Sequence, residues 1–224
     1  MHVIYGYVPC AICKTAKAKR FCPGIREEIC PGCCGAGRER TIDCPLNCEY
    51  LAEAHRHEKK PESDPSAMPG VGVRLEDDFL QANEFLIVLV GSAMCEAFRP
   101  HTNALDTDAV AALDALAETG KARAAGVVYE AKPVNPIAAD MFEAVEARIA
   151  DVRRRMEEAD GKYSLPDPIV EGVVLFLQRV AFGLNNGRPK CKAFLVFLSQ
   201  FYVNVKDAEA EAEEAGGDEP LVVL

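Results

Sequence analysis

Eight of the ten cysteines of this 224-residue chain lie within 39 positions, and this cluster constrains the fold more than any other feature. Only Cys95 and Cys191 fall outside it. No secretory signal is visible, so we expect a cytoplasmic protein, in which clustered cysteines bind metal more often than they form disulfides. The predicted metal ligands are Cys10, Cys13, Cys22, Cys30, Cys33, Cys34, Cys44 and Cys48.

The spacing of these cysteines predicts two interleaved zinc sites. Two cysteines separated by two residues can hold one ion from a tight turn, because both sulfurs point into the same concavity. A C-x2-C-x16-C-x2-C pattern, within the range of structural zinc sites, is formed by Cys10, Cys13, Cys30 and Cys33. The second set would then be Cys22, Cys34, Cys44 and Cys48.

Other ligand partitions remain open. Cys33 and Cys34 could share one metal with Cys10 and Cys13, which would leave Cys22, Cys30, Cys44 and Cys48 for the other. His55 or His57 could replace a cysteine, although exposed histidines on a helix are the simpler interpretation. Catalytic zinc needs an open coordination position and usually has histidine or carboxylate ligands. The surplus of thiolates therefore predicts about two closed, structural zinc ions.

Proline and glycine support tight turns between the ligands. Cys30-Pro31-Gly32-Cys33 places turn residues inside one ligand pair. Cys44-Pro45 predicts a helix with proline at its first position.

The run CPGCCGAGRERTIDCPLNCEYL, residues 30–51, resembles the start of a group of uncharacterised bacterial proteins with a cysteine-rich head and a helical body. The later segment Asn186-Gly187-Arg188-Pro189 is similar too. The resemblance implies zinc binding and carries no activity or catalytic residue with it. The interleaved ligands also resemble the cross-brace MYND and HIT zinc fingers, which are protein-interaction modules, although the ligand order differs from both.

Beyond the cysteines the pattern is helical, so we expect a mainly α protein with four parts. These are a cross-brace or zinc-ribbon-like module (1–60), a linker (61–72), an α-helical bundle of about five helices (73–206) and an acidic tail (207–224). Apolar stripes predict helices over Glu49–Lys60, Leu75–Phe98, Thr107–Thr119, Pro136–Asp160, from Asp167 onwards, and after Pro189. The stretch Ala125–Ala131 could be a short strand.

Charge is unevenly distributed along the chain. The net charge is −10, but residues 1–60 carry ten Lys and Arg against seven Asp and Glu. Two four-thiolate zinc sites, each contributing about −2, would bring the net charge of this region from +3 to about −1. Arg188, Lys190 and Lys192 lie at the turn into the last predicted helix, where backbone amides could help to bind an anion. A solvent-exposed loop is the simpler interpretation.

These features predict a non-enzymatic, zinc-binding adaptor or regulator whose zinc module contacts a protein partner. No hydrolase triad, metalloprotease motif or phosphate-binding loop is present. No apolar run reaches the length of a membrane span, so we expect no membrane partner. One alternative is a nucleic-acid-binding regulator that uses Lys14, Lys17, Lys19, Arg20, Arg38 and Arg40. The other is a thiol-based redox sensor that releases zinc on oxidation.

Overall fold

The computed structural model describes residues 8–59, 62, 64–127, 131–160 and 164–200. The chain is mainly helical, as predicted, with a small cysteine-rich head before a helical body. The predicted acidic tail lies outside the described residues, as do residues 60, 61 and 63 of the predicted module and linker. No helix in the described ranges combines the length and the apolar character that crossing a membrane requires.

The head, residues 8–59, is built on a two-stranded antiparallel hairpin. Strand β1 (Arg20–Cys22) pairs with strand β2 (Glu27–Ile29), and Phe21 lies opposite Glu28. Strands of three residues are too short to show an alternating pattern in the sequence, so this hairpin was not predicted. Helix α1 (Pro31–Gly37) and helix α2 (Glu49–His57) complete the head.

The helices of the body follow after residue 72. Their bounds are α3 Asp77–Ala82, α4 Glu84–Phe98, α5 Asp106–Ala124, α6 Pro136–Asp160 and α7 Asp167–Leu184, and a last helix occupies 193–200 where the described part ends. Helix α6 packs against α4 and α5, and α5 also packs against α7. Their apolar faces enclose one buried core that includes Val90, Leu113, Phe142, Leu177 and Phe194.

The head has a separate, smaller core. Ile29, Ile42 and Leu51 are buried there together with five of the clustered cysteines. Leu46, in the loop before α2, packs instead against the core of the body. The two parts are therefore in contact, and that contact positions the sites described below.

Three of the predicted helices differ from those observed. Asn83 interrupts the predicted helix over Leu75–Phe98, because its side-chain amide donates to the carbonyl of Phe79 at 2.7 Å and competes with the helical backbone. The expected helix start at Pro45 was wrong, since Pro45 lies in a turn and α2 begins only at Glu49. The predicted helix over Thr107–Thr119 continues through Gly120 to Ala124.

The second half of the predicted linker is held against the body. Residues 65–67 form a 3₁₀ turn. The guanidinium of Arg179 on α7 then donates to the carbonyls of Pro69, Gly70 and Val73 at 2.7–3.1 Å. Three hydrogen bonds from one charged group give this segment a defined path across the body.

Candidate metal centre

The structure brings four cysteine sulfurs together in the head. The Sγ atoms of Cys10, Cys13, Cys30 and Cys33 all lie within 4.8 Å of one another. These are the four residues of the C-x2-C-x16-C-x2-C pattern. Cys10 and Cys30 are buried, whereas Cys13 and Cys33 are the more exposed pair.

Local backbone geometry positions each pair. Cys10 and Cys13 lie in a turn closed by the amide of Lys14, which donates to the carbonyl of Cys10 at 2.9 Å. Cys30 caps helix α1, and its Sγ accepts the amide of Cys33 at 3.4 Å. The amide of Ala11 donates to the carbonyl of Glu28, which fastens the first turn to strand β2 beside Cys30.

The geometry of this tetrad fits a tetrahedral metal ion. Zinc–sulfur bonds of about 2.3 Å place the four sulfurs of a tetrahedron about 3.8 Å apart. All ten cysteines of the chain are free thiols, so no disulfide competes for these sulfurs. Four sulfur donors without histidine or carboxylate are typical of a closed structural site.

Hydrogen bonds already favour ionisation of part of the tetrad. The hydroxyl of Thr15 and nearby amides lower the pKa of Cys13 to about 5. Burial opposes ionisation of Cys10, but backbone amides outweigh it and lower the pKa of that thiol. The hydrogen bond with Cys30, together with burial, raises the pKa of Cys33 to about 12. Four ionised thiolates therefore require a cation among them to offset their repulsion.

No family model, curated protein or solved structure matches this chain. The zinc binding that the resemblance over residues 30–51 implies therefore remains a prediction. The chemistry of the head is inferred from its own residues and their geometry.

The second predicted set lies around one small cavity. Its volume is about 10 Å³, room for a single small occupant, and all four cysteines of the set line it: Cys22, Cys34, Cys44 and Cys48. These sulfurs do not approach one another as closely as those of the tetrad. Assignment of a metal to this set remains a prediction.

Positive and negative groups both act on the second set. Nη1 of Arg20 lies 3.7 Å from Sγ of Cys34, and its guanidinium also stacks on the ring of Tyr50. Burial raises the pKa of Cys44, and negative charge on Cys48 and Glu39 raises it further. A bound cation would reverse this effect, as metals do for coordinating thiols.

Helix α1 separates Cys33 from Cys34. Successive residues on an α-helix point about 100° apart, so two adjacent cysteines face different sites. Cys33 joins the tetrad and Cys34 lines the other cavity. The alternative partition, in which both share one metal, is not what the structure shows.

The two histidines lie away from the tetrad. His57 is exposed and contacts Glu53 at 2.9 Å. His55 was expected to be exposed, and that was wrong: its side chain is 13% exposed and its Nε2 lies 3.0 Å from Oε1 of Glu39. Neither His55 nor His57 therefore lies where it could replace a cysteine as a metal ligand.

Glu39 is the residue that sequence reasoning missed. Its side chain is fully buried, and its backbone has φ of +53°, an uncommon value for a residue other than glycine. Oε1 also accepts the amide of Lys192 at 2.8 Å, and Oε2 accepts the side-chain amide of Asn186 at 2.7 Å. Burial alone would raise the pKa of Glu39, but His55 and these donors hold it below its ordinary value.

Glu39, His55 and Glu58 also place possible metal donors within 4.8 Å of one another. Arg188 nevertheless supplies the positive charge there, since its guanidinium pairs with Glu58 and lies 3.8 Å from Glu39. This cluster is therefore a contact between head and body, with its carboxylates satisfied by protein donors. No sequence signal marks it, because Asn186 and Arg188 lie about 150 positions from Glu39.

Proposed function

We propose that this chain is a non-enzymatic adaptor or regulatory protein of the cytoplasm, whose head is held together by about two structural zinc ions. The observation that carries the proposal is the all-sulfur tetrad of Cys10, Cys13, Cys30 and Cys33. A closed site of this kind contributes folding energy rather than catalysis. Small modules with little apolar core commonly depend on such an ion.

The head would present its surface to a protein partner. Val8, Ile12 and Phe21 are each about half exposed, at 50%, 46% and 52%. Ile12 lies between two members of the tetrad, so a bound ion would fix its position. Phe21 lies on β1 opposite Glu28, whose carbonyl holds the turn that contains Ile12. Apolar side chains on a rigid support suit protein recognition.

The two alternatives have less support. Lys14, Lys17 and Lys19 are exposed, which favours a nucleic-acid partner. Arg20, however, points to a thiol and an aromatic ring, so the basic surface is smaller than the sequence suggested. A redox sensor is favoured by the exposed Cys13 and its low pKa of about 5.

Site-specific photo-crosslinking tests the adaptor proposal. A photoreactive residue replaces Phe21 in one variant and the fully exposed Val134 of the body in a control. We expect a discrete protein adduct in cells from position 21 only, and its loss when Cys10 is also changed to serine. Equal adducts from both positions, or adducts to nucleic acid, would contradict it.

A further inference from the structure

A cavity of about 520 Å³ lies between helices α3, α5 and α7 and the segment before α3 that Arg179 holds against the body. Apolar surface in its lining comes from Val73 in that segment, Phe79 on α3 and Leu175 on α7. Pockets for small organic molecules commonly have volumes of about 300–1,000 Å³ and mostly apolar walls with a few polar groups. The cavity has the size and the lining of such a pocket.

Glycines let the walls of this cavity pack directly on the backbone. A Cβ at Gly172 would overlap the ring of Phe79, and a Cβ at Gly70 would lie 2.6 Å from Cδ1 of Leu175. The carbonyl of Gly70 also accepts a hydrogen bond from the guanidinium of Arg179 at 2.8 Å. The side chains that line the cavity are therefore held in place by the fold, as in a pocket that exists before its ligand binds.

One carboxylate in the lining lacks a partner. Oε1 of Glu171 is buried, and it has no hydrogen-bond partner in the part of the chain that the structure describes. The side chain lies over α5 at Gly120, where a Cβ would lie 3.1 Å from Cγ of Glu171 and 3.3 Å from its Oε1. A buried acceptor without a donor costs free energy, which a donor on a ligand would recover.

The other charged residues of the lining do not supply this donor. Asp114 accepts the side-chain amide of Gln178 at 2.6 Å, so its own carboxylate is matched. Lys121 is exposed, and it forms no ion pair with Glu171. The lining therefore contains two carboxylates and one ammonium, and its unmatched buried group is an acceptor. A carboxylate in a concave, apolar site selects for a cation that can donate a hydrogen bond.

The basic residues at the turn into the last helix are, in contrast, matched within the protein. Lys192 is 1% exposed and its ammonium pairs with Asp43 at 2.8 Å, so the expectation that it lies in an exposed loop was wrong. The amides of Phe194 and Leu195, at the helix start that was considered for anion binding, donate to the carboxylate of Asp106, each at 3.0 Å.

We propose that the cavity between α3, α5 and α7 binds a small organic amine with an apolar body. Its ammonium donates to the carboxylate of Glu171, and its hydrocarbon part lies against Phe79 and Leu175. The cavity lies in the body and contains no cysteine. The binding therefore needs no metal in the head, and it stands or fails separately from the zinc and adaptor proposals.

Isothermal titration calorimetry of the full chain tests this binding, with hexylamine, methylamine and hexanoate as probes at neutral pH and constant ionic strength. We expect hexylamine to bind saturably at one site, methylamine to bind more weakly because it lacks a hydrocarbon chain, and hexanoate not to bind. Equal or tighter binding of methylamine or hexanoate would overturn the proposal, as would the absence of saturable hexylamine binding.

A pair of matched variants tests the role of the carboxylate. Glu171→Gln keeps the shape of the side chain and removes its charge, and we expect hexylamine affinity to fall about tenfold or more. Glu118→Gln is the control, because Glu118 is an exposed residue of α5 outside the cavity lining, and it should bind as the wild type does. Equal affinities in the two variants would contradict the proposal.

Two further variants locate the site. Ala117→Phe fills the cavity from α5 and should abolish binding without touching a charge. Lys121→Met removes the positive charge from the lining, so hexylamine should bind at least as tightly as it does to the wild type. Unchanged affinity in Ala117→Phe would contradict the site even if Glu171→Gln failed to fold. Loss of binding in Lys121→Met would show that the lining does not select a cation.

Discussion

The buried carboxylate of Glu39 accepts the backbone amide of Lys192 at 2.8 Å, across 153 positions of sequence. A second hydrogen bond runs in the same direction, since the amide of Lys190 donates to the backbone carbonyl of Glu39 at 2.9 Å. One residue of the head is thereby hydrogen-bonded to both sides of the turn that leads into the last helix. The head and the body, expected to be separate units, meet through a buried polar contact.

Glu39→Gln should destabilise the protein by about 2–4 kcal/mol, because a neutral amide leaves some of its buried donors unmatched. Glu53→Gln is the matched control: Glu53 is 57% exposed, and its ion pairs on α2 contribute little. Urea denaturation of both variants, with zinc present, measures the free energy of unfolding. An equal loss in the free energy of unfolding in the two variants would show that the contact between head and body stabilises the protein no more than a surface ion pair does.

Gly24→Ala should weaken the head, whereas Gly35→Ala should not. A Cβ at Gly24 would lie 2.5 Å from the carbonyl oxygen of Asp43. Because that oxygen belongs to the backbone, the clash can be relieved only if the backbone shifts. A Cβ at Gly35, inside α1, meets nothing within 4 Å, and alanine favours the helix by about 0.5–1 kcal/mol. Thermal unfolding of the two variants provides the comparison. A tolerated Gly24→Ala would mean that the loop at Asp43 is not packed as described.

The carboxylate of Asp106 should make stability fall as the pH rises. Burial raises its pKa above the ordinary value of 3.8, despite the amides of Phe194 and Leu195. The folded state therefore binds this proton more tightly than the unfolded state does. The stabilisation that protonated Asp106 provides is complete below pH 3.8, the ordinary pKa. It decreases as the pH rises and is gone once the pH exceeds the raised pKa.

Asp106→Asn isolates that contribution, because the two proteins share every other titratable group. We expect the stability of the wild type relative to Asp106→Asn to decrease from pH 4 towards neutral pH and then to level off. Denaturant titrations at several pH values give the difference. A difference that grows with pH would mean that the capping hydrogen bonds outweigh burial and depress the pKa.

The sequence was most informative where the determinants are local. A tight turn places Cys10 beside Cys13, and the first turn of helix α1 places Cys30 beside Cys33, so their spacing alone indicated the tetrad. Helix α6 begins at Pro136, after the capping residue Asn135, whose side chain accepts the amides of Ile137 and Ala138. Such capping depends on neighbouring residues and is visible in the sequence.

Long-range polar contacts could not be predicted in the same way. Glu39 and Lys192 read as ordinary charged surface residues, since burial of a charge depends on a partner elsewhere in the fold. For Lys192 that partner is Asp43, about 150 positions away. The break at Asn83 was missed for a different reason, because the apolar stripe continues on both sides of it.

Ligand assignment follows from the zinc content of serine variants. Cys10→Ser and Cys33→Ser should each lose about one ion per chain, and Cys34→Ser and Cys44→Ser should each lose the other. A double substitution within one set should cost little more than a single one, whereas a double substitution across sets should remove both ions. Cys95→Ser, in the core of the body, is the control and should keep its zinc. Loss of the same ion from Cys33→Ser and Cys34→Ser would restore the alternative partition.

The most direct test of the proposal that zinc holds the head together is the metal content of the wild-type chain, purified under reducing conditions without chelator. Elemental analysis should find about two zinc ions per chain, by the count of four ligands per site. Circular dichroism and urea denaturation of the same sample establish that it is folded. A folded protein that contains no metal would contradict the account.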